Sequence, residues 1–350
     1  MSLQFIHIYY FLATAVIVSF PILYQVNKSE LLKLYRFLVL SFLILVYFYG
    51  MSRTGGADIV NYLKTYNNSV IYKMFDPGYM LISDAFRSLG LPFNAILIFT
   101  GIVSLFAVYR ISEFFNIKFV LLLSVFFLHI YIVRDFAQFR IGLAVSFALI
   151  ALTSSRKIKW LLYFVSVSIH LTAIVFIVAY EASLWAVRLT RPRRRMLFLA
   201  LCFAVIFIVG TNLTQLSFID PRVSLYLNWD RDGYGRAVAS YNSIFFNLVL
   251  LLLALLGKKY WRPRMQELVY LQMFGIAIFF AFSSVSVFAF RLANAVFSLY
   301  PVLLLMSLDA LRPYVSSGRL VMGVLLSLLT TALLMRPGSM KLIELVTHKF

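Results

Sequence analysis

Carboxylates are scarce: 13 Asp and Glu stand against 32 Lys and Arg in 350 residues, and charge of either sign makes up only 13% of the chain. A water-soluble domain carries about a quarter charged residues, so a soluble globular enzyme is excluded. The single cysteine, Cys202, lies inside an apolar run, which excludes a disulfide framework and a cysteine-rich metal site. Four scattered histidines give no metal cluster, so neither a metal nor another cofactor is expected. No Gly-x-x-x-x-Gly-Lys-Ser/Thr or Gly-x-Gly-x-x-Gly element supplies a nucleotide-phosphate cradle. Almost no carboxylate falls mid-helix, where an ion-driven pump would place one. The first apolar segment lacks a basic leader and a small-residue cleavage site, and so reads as a retained helix rather than a signal peptide.

What is abundant is apolar. Hydrophobic residues make up 62% of the chain, with 35 Phe and 21 Tyr. Apolar runs close to the length that crosses a bilayer core of about 30 Å recur from end to end. The fold class expected is an all-α polytopic membrane protein. Its apolar segments lie at about 3–24, 34–51, 93–110, 117–133, 137–152, 160–187, 196–213, 242–257, 266–288, 292–309 and 319–335, with boundaries uncertain by a few residues. The net charge of +19 does not point to nucleic acid, because the basic residues fall in short clusters between these segments. Lys28/Lys33/Arg36, Arg110/Lys118, Arg156/Lys157/Lys159, Arg188 to Arg195 and Lys258/Lys259/Arg262/Arg264 mark cytoplasmic loops by the positive-inside rule.

One run conflicts with that rule. Lys159 and Arg188 flank the same apolar stretch, yet both ends belong on one side. Breaking the stretch near His170 into a re-entrant half-helix pair resolves the conflict, since such helices are tolerated where protein or a water-filled cavity covers them. A long tilted helix with one mis-sided loop is the alternative. With the break, about ten full transmembrane helices remain. Residues 52–92 and 214–241 become longer external loops, each too small for an independent core. The whole chain, 1–350, then reads as one membrane-embedded domain with its active-site mouth at those loops.

The chemistry-bearing residues gather on that external side. Arg53-Thr54-Gly55-Gly56-Ala57-Asp58 precedes Tyr62 and Tyr66, and on a short helix Asp58, Tyr62 and Tyr66 share a face. Arg53 suits a phosphate or an interfacial anchor equally, and Asp58 a ligand contact or a helix cap. Asp76-Pro77-Gly78-Tyr79 is a turn sequence, followed by an amphipathic helix carrying Tyr79, Leu81, Ile82, Phe86 and Leu89. In Arg134-Asp135-Phe136-Ala137-Gln138-Phe139-Arg140, Arg134 reads as a snorkelling residue beside Asp135. Arg140, inside an apolar helix, reads as inward-facing and functional. His170 could serve as a general base, as a phosphate donor or as a core residue. Trp229, Asp230, Asp232 and Arg236, with Tyr62 and Tyr79, suit sugar binding, since rings stack on sugar faces and carboxylates accept hydroxyl hydrogen bonds. Arg291, after the run 266–288, adds another external arginine. Arg53, Arg134, Arg140, Arg222, Arg231, Arg236 and Arg291 oppose the positive-inside trend, and an anionic ligand at the outer boundary accounts for them.

These residues carry a resemblance. Arg53-Thr54-Gly55-Gly56-Ala57-Asp58 with Tyr62, Asp76-Pro77-Gly78-Tyr79, Gln138-Phe139-Arg140-Ile141-Gly142-Leu143-Ala144, Ile169-His170-Leu171-Thr172-Ala173 and the late Arg291 resemble, in this order, the EpsG-like branch of the Wzy family of bacterial polysaccharide polymerases. Family members often carry glutamate at the position of Asp76 and serine at that of Thr172. The resemblance implies a GT-C-like fold in the bacterial inner membrane. It implies metal-independent, inverting glycosyl transfer at the periplasmic face, from an undecaprenyl-diphosphate-linked glycan to an undecaprenyl-diphosphate-linked repeat unit. Membrane lipids and a Wzz-like chain-length regulator are the other implied partners. Arg140, Arg53, Arg134 and Arg291 are the candidates for the diphosphate. His170, Asp58, Asp76 and Asp135 are the candidates for accepting the hydroxyl proton, with no choice among them at this stage. Rival readings are a glycan ligase, a flippase or exporter of lipid-linked oligosaccharide, which calls for internal pseudo-symmetry, and a membrane O-acetyltransferase.

Overall fold

The computed structural model describes residues 14–19, 30–51, 57–67, 76–128, 130, 135, 138–212 and 242–314. Among these the regular structure is helical and no strand occurs. The helices are α1 (Glu30–Met51), α2 (Ala57–Asn67), α3 (Pro77–Ser88), α4 (Phe93–Phe114), α5 (Phe119–Phe126), α6 (Phe139–Leu152) and α7 (Arg156–Ile169). They continue as α8 (Ala173–Arg188), α9 (Pro192–Thr211), α10 (Asn242–Leu256), α11 (Met265–Ala281), α12 (Ser286–Val296) and α13 (Tyr300–Leu311). Among the described residues, Lys33–Met51, Phe93–Phe114, Pro192–Thr211 and the run Phe288–Tyr314 are long and apolar enough to cross a membrane. Phe139–Leu152, Ile244–Leu256 and Met265–Ala281 are shorter apolar helices. Large apolar side chains such as Phe37, Phe164, Met196 and Phe245 face outward. In water such surfaces would aggregate, whereas hydrocarbon tails cover them without cost. The protein is a polytopic helical membrane protein.

Contacts group the chain into two compact units, one centred on residues 1–174 and one on 175–311. In the first, α6 packs against both α4 and α7, α3 lies on α7 and α4, and α1 packs on α4 and α5. The core along α6 is nearly continuous, from Phe139 through Leu143, Ala144, Val145 and Ala148 to Ala151. Small residues on this helix let its neighbours approach closely, the usual means of helix association in lipid. Ser166 of α7 donates to the Ala144 carbonyl of α6 at 2.6 Å, a buried polar link between the two. Arg110 of α4 donates from Nε to Thr153 Oγ1 at 3.2 Å and from Nη2 to the Thr153 carbonyl at 2.9 Å, tying α4 to the C-terminus of α6.

In the second unit α11 is central, packed by α9, α10, α12 and α13. Gln272 donates to Asn247 across α11 and α10 at 2.5 Å in a buried site. Arg262 pairs with Asp309 at 2.7 Å near the expected cytoplasmic end.

One expectation about the helices holds and two change. The run 160–187 does break: α7 ends at Ile169, His170 is extended at φ −157° and ψ 120°, and α8 starts at Ala173. The run 266–288 is not one helix, because turns at 282–285 separate α11 from α12. Arg291 therefore lies in the middle of α12 rather than at a helix edge. The run 117–133 is a regular α-helix only to Phe126, with wider turns at Phe127, Leu128 and Ile130.

Candidate functional site

The site is built where α2, α3, α6 and the end of α7 converge in the first unit. α6 begins late because Gln138 leaves helical geometry at φ −130° and ψ 55°. Arg140 is thus in the first turn of α6, not deep inside it as its apolar surroundings suggest. A cation there faces the positive end of the helix dipole, at a cost of roughly 0.3–1 kcal/mol. Neighbouring groups offset that cost.

α2 brings Tyr62, whose hydroxyl accepts a hydrogen bond from Arg140 Nε at 2.9 Å. The guanidinium carbon also lies 4.8 Å from the centre of the Tyr62 ring and 5.3 Å from that of Tyr79. Cation–π attraction to each ring contributes about 0.5–2 kcal/mol, more where water is excluded. The floor is aromatic: Phe139 meets Tyr62 at 4.9 Å, Tyr79 at 5.8 Å and Phe93 at 5.9 Å, all edge to face. Tyr66, one turn after Tyr62, packs on Phe93 and donates to the Leu91 carbonyl at 2.7 Å. The spacing argument for a shared face on α2 thus holds for Tyr62 and Tyr66.

α3 brings Asp76. It stands at the N-cap with Pro77 next, and its carboxylate makes no capping bond to its own helix. Asp76 Oδ2 instead lies 3.7 Å from Arg140 Nη1, both side chains being largely buried. An N-terminal aspartate would ordinarily cap its helix, for about 1 kcal/mol. The buried charge of Arg140 draws it away. The same helix start approaches α7 closely: a Cβ placed on Gly78 would come 2.7 Å from the Ser168 carbonyl carbon. Only glycine allows that approach. It brings Asp76 and Tyr79 up to the last turn of α7, two residues before His170. The imidazole, half-buried, accepts from the Thr172 N–H at Nδ1, 3.2 Å away, within the helix break. Further along α3, Leu81 and Leu89 are exposed while Gly78, Tyr79 and Ser83 are buried, so apolar side chains occupy both faces of this helix.

Asp135 takes a different position. It is fully buried, and its Oδ2 accepts from Tyr47 and from Ser104, each at 2.5 Å. Tyr47, Ser104 and Phe139 are the site-building residues that sequence reasoning missed. A lone tyrosine or serine in an apolar run gives little signal, though a buried carboxylate demands such donors. Asp58 lies on α2, with its side chain outside the described residues, and Arg53, Arg134, Trp229, Asp230, Asp232 and Arg236 also lie outside them. Arg291 belongs to the second unit.

The arrangement is a largely buried guanidinium held by two tyrosine rings and one carboxylate, with His170 two residues past the Ser168 contact in sequence. It can bind an anion, and it offers a carboxylate and an imidazole as proton acceptors. Among the described residues, no group of three or more His, Cys, Asp or Glu side chains gathers as a metal site would require. Compared with known proteins, the chain matches the family model described as the EpsG family, over residues 35–336. No curated protein and no solved structure matches it.

Proposed function

The chain belongs to the EpsG family, and from that premise we propose that it is a polysaccharide polymerase of the bacterial inner membrane acting at the periplasmic face. The donor is a glycan on undecaprenyl diphosphate, and the acceptor is the terminal hydroxyl of an undecaprenyl-diphosphate-linked repeat unit. The observation that carries this reading is the setting of Arg140, hydrogen-bonded to Tyr62 and 3.7 Å from Asp76 in a largely buried position.

In the reaction the acceptor oxygen attacks the anomeric carbon from the face opposite the diphosphate, which inverts the centre. The bond from that carbon to the diphosphate oxygen breaks, and the diphosphate leaves with the electron pair. Arg140 stabilises the charge that grows on it, the kind of preorganised electrostatic contribution that dominates such sites. Arg53 and Arg134 are further candidates for the same anion. The hydroxyl proton passes to Asp76 or His170, which flank the α3–α7 approach. No metal is assigned a role. Tyr62 and Tyr79 act first as walls for Arg140 and second as surfaces for sugar, while the segment 214–241 with Trp229, Asp230, Asp232 and Arg236 shapes sugar choice.

Surface-polysaccharide length in cells tests this reading, comparing wild type, a deletion and Arg140→Ala with expression confirmed. Single repeat units in the deletion, reproduced by Arg140→Ala, are the expected result. Loss of all surface glycan, with lipid-linked units trapped inside, would indicate export instead. Normal chains in Arg140→Ala would remove Arg140 from the site.

A further inference from the structure

Among the described residues of the first unit, Asp135 is the most completely buried charged group, and the proposed chemistry does not use it. A carboxylate in such surroundings is costly unless hydrogen-bonded, and its presence calls for a reason. Two donors to it come from different helices: Tyr47 near the end of α1 and Ser104 from the middle of α4. α1 and α4 approach closely at that level. A Cβ on Gly101, one turn before Ser104, would lie 3.2 Å from the Tyr47 ring and 3.4 Å from Met51. The hydroxyls of Tyr47 and Ser104 are thereby brought onto one oxygen.

The chain around this tie holds the arginines. Asp135 lies between Phe126, where α5 ends, and Phe139, where α6 starts, five residues before Arg140. Tyr47 is six residues before Arg53, and Arg134 is the immediate neighbour of Asp135. We infer that Asp135 is a positioning residue: through Tyr47 and Ser104 it fixes the entry to α6 against α1 and α4, and so sets where Arg140 meets the diphosphate. This rests on the diphosphate reading of the site. It also removes Asp135 from the candidate proton acceptors. The oxygen that receives both hydroxyl bonds is the wrong place for a proton taken from a substrate, and the side chain is fully buried.

Asparagine keeps a carbonyl oxygen that accepts both hydrogen bonds but cannot take the proton. The test uses the full-length protein in lipid nanodiscs with undecaprenyl diphosphate as the probe, binding being scored per folded molecule, alongside chain length in cells. Asp135→Asn should bind within about threefold of wild type and keep making long chains, because both hydroxyl bonds survive. Asp135→Ala, and Tyr47→Phe combined with Ser104→Ala, should each bind about tenfold or more weakly and give short chains, as a displaced binding group does. If Asp135→Ala does not fold, the double hydroxyl variant decides. Asp135→Asn that binds like wild type yet makes no chains would make Asp135 a proton acceptor and overturn the inference. So would wild-type binding and chain length in the double hydroxyl variant, or in the folded fraction of Asp135→Ala. Wild-type protein that binds the probe no better than Arg140→Ala would overturn the diphosphate reading itself, and this inference with it.

Discussion

Gly78→Ala adds one methyl group and should damage the site through displacement alone. The new Cβ would stand 2.7 Å from the Ser168 carbonyl carbon and 2.8 Å from its oxygen, where ordinary contact begins at 3.4 Å. The Ser168 hydroxyl oxygen stands nearer still and can rotate aside, but these two atoms are backbone and cannot. α3 must back away from α7 by about 0.7 Å or tilt by an equivalent amount. Overpacking of this kind costs roughly 1–3 kcal/mol. Asp76 and Tyr79 sit on either side of Gly78, and their shift alters the carboxylate and one ring around Arg140. Misplacement by about 1 Å can reduce a reaction 100-fold, so polymerisation should fall by roughly 10- to 100-fold. Chain length on a gel and thermal unfolding of the purified protein measure the two effects separately. Gly90→Ala is the control: it lies past the far end of α3 at φ +68° with nothing within 4 Å of an added Cβ. It strains the backbone for about 1–2 kcal/mol without moving the site. Full-length chains in Gly78→Ala, with a loss of stability like that of Gly90→Ala, would show that the α3–α7 approach does not hold the site.

Tyr62→Phe removes the acceptor for Arg140 Nε but keeps the ring beneath the guanidinium. A hydrogen bond to a charged group contributes about 1.5–3 kcal/mol, so undecaprenyl-diphosphate binding should weaken about tenfold or more, with unchanged affinity refuting an orienting role for that hydroxyl. In the second unit, Asn247→Ala takes the acceptor from the buried Gln272 amide and should lower stability by about 1–3 kcal/mol, while leucine at both positions should come close to neutral. Equal losses in the single and double variants, read by thermal unfolding in detergent, would mean the pair contributes by shape alone.

The helix break at His170 was legible because two basic clusters, Lys159 and Arg188, demanded the same side of the membrane. Charge fixed what apolarity could not. The break between α11 and α12 carried no such signal: Phe282-Ser283-Ser284-Val285 holds no proline, glycine or charge, and the run reads as continuous. The place of Arg140 in the first turn of α6 was hard to read for a related reason. Nothing local stops a helix from running through Asp135 to Leu152. The segment departs from the regular α-helix where Asp135 meets partners 88 and 31 residues away in sequence, which no window of sequence reveals. Tyr62 and Tyr66 were legible because one helical face is a local property. The role of Gly78 was only half legible, since Pro-Gly announces a turn but not the helix that the turn must fit against.

Two local preferences are set aside at one point, and they point the same way. A helix favours carboxylates in its first turn, yet α6 has Arg140 there and no acidic residue. A helix also favours a capping aspartate, yet Asp76 leaves α3 uncapped and turns to Arg140. Each departure costs on the order of 1 kcal/mol. Stability alone would have reversed both, with the carboxylate on α6 and the cation elsewhere. Such departures concentrate at functional sites, where a ligand supplies what the local structure forgoes. A diphosphate at the start of α6 would meet the guanidinium and the helix N–H groups together, so both departures become favourable once it is bound.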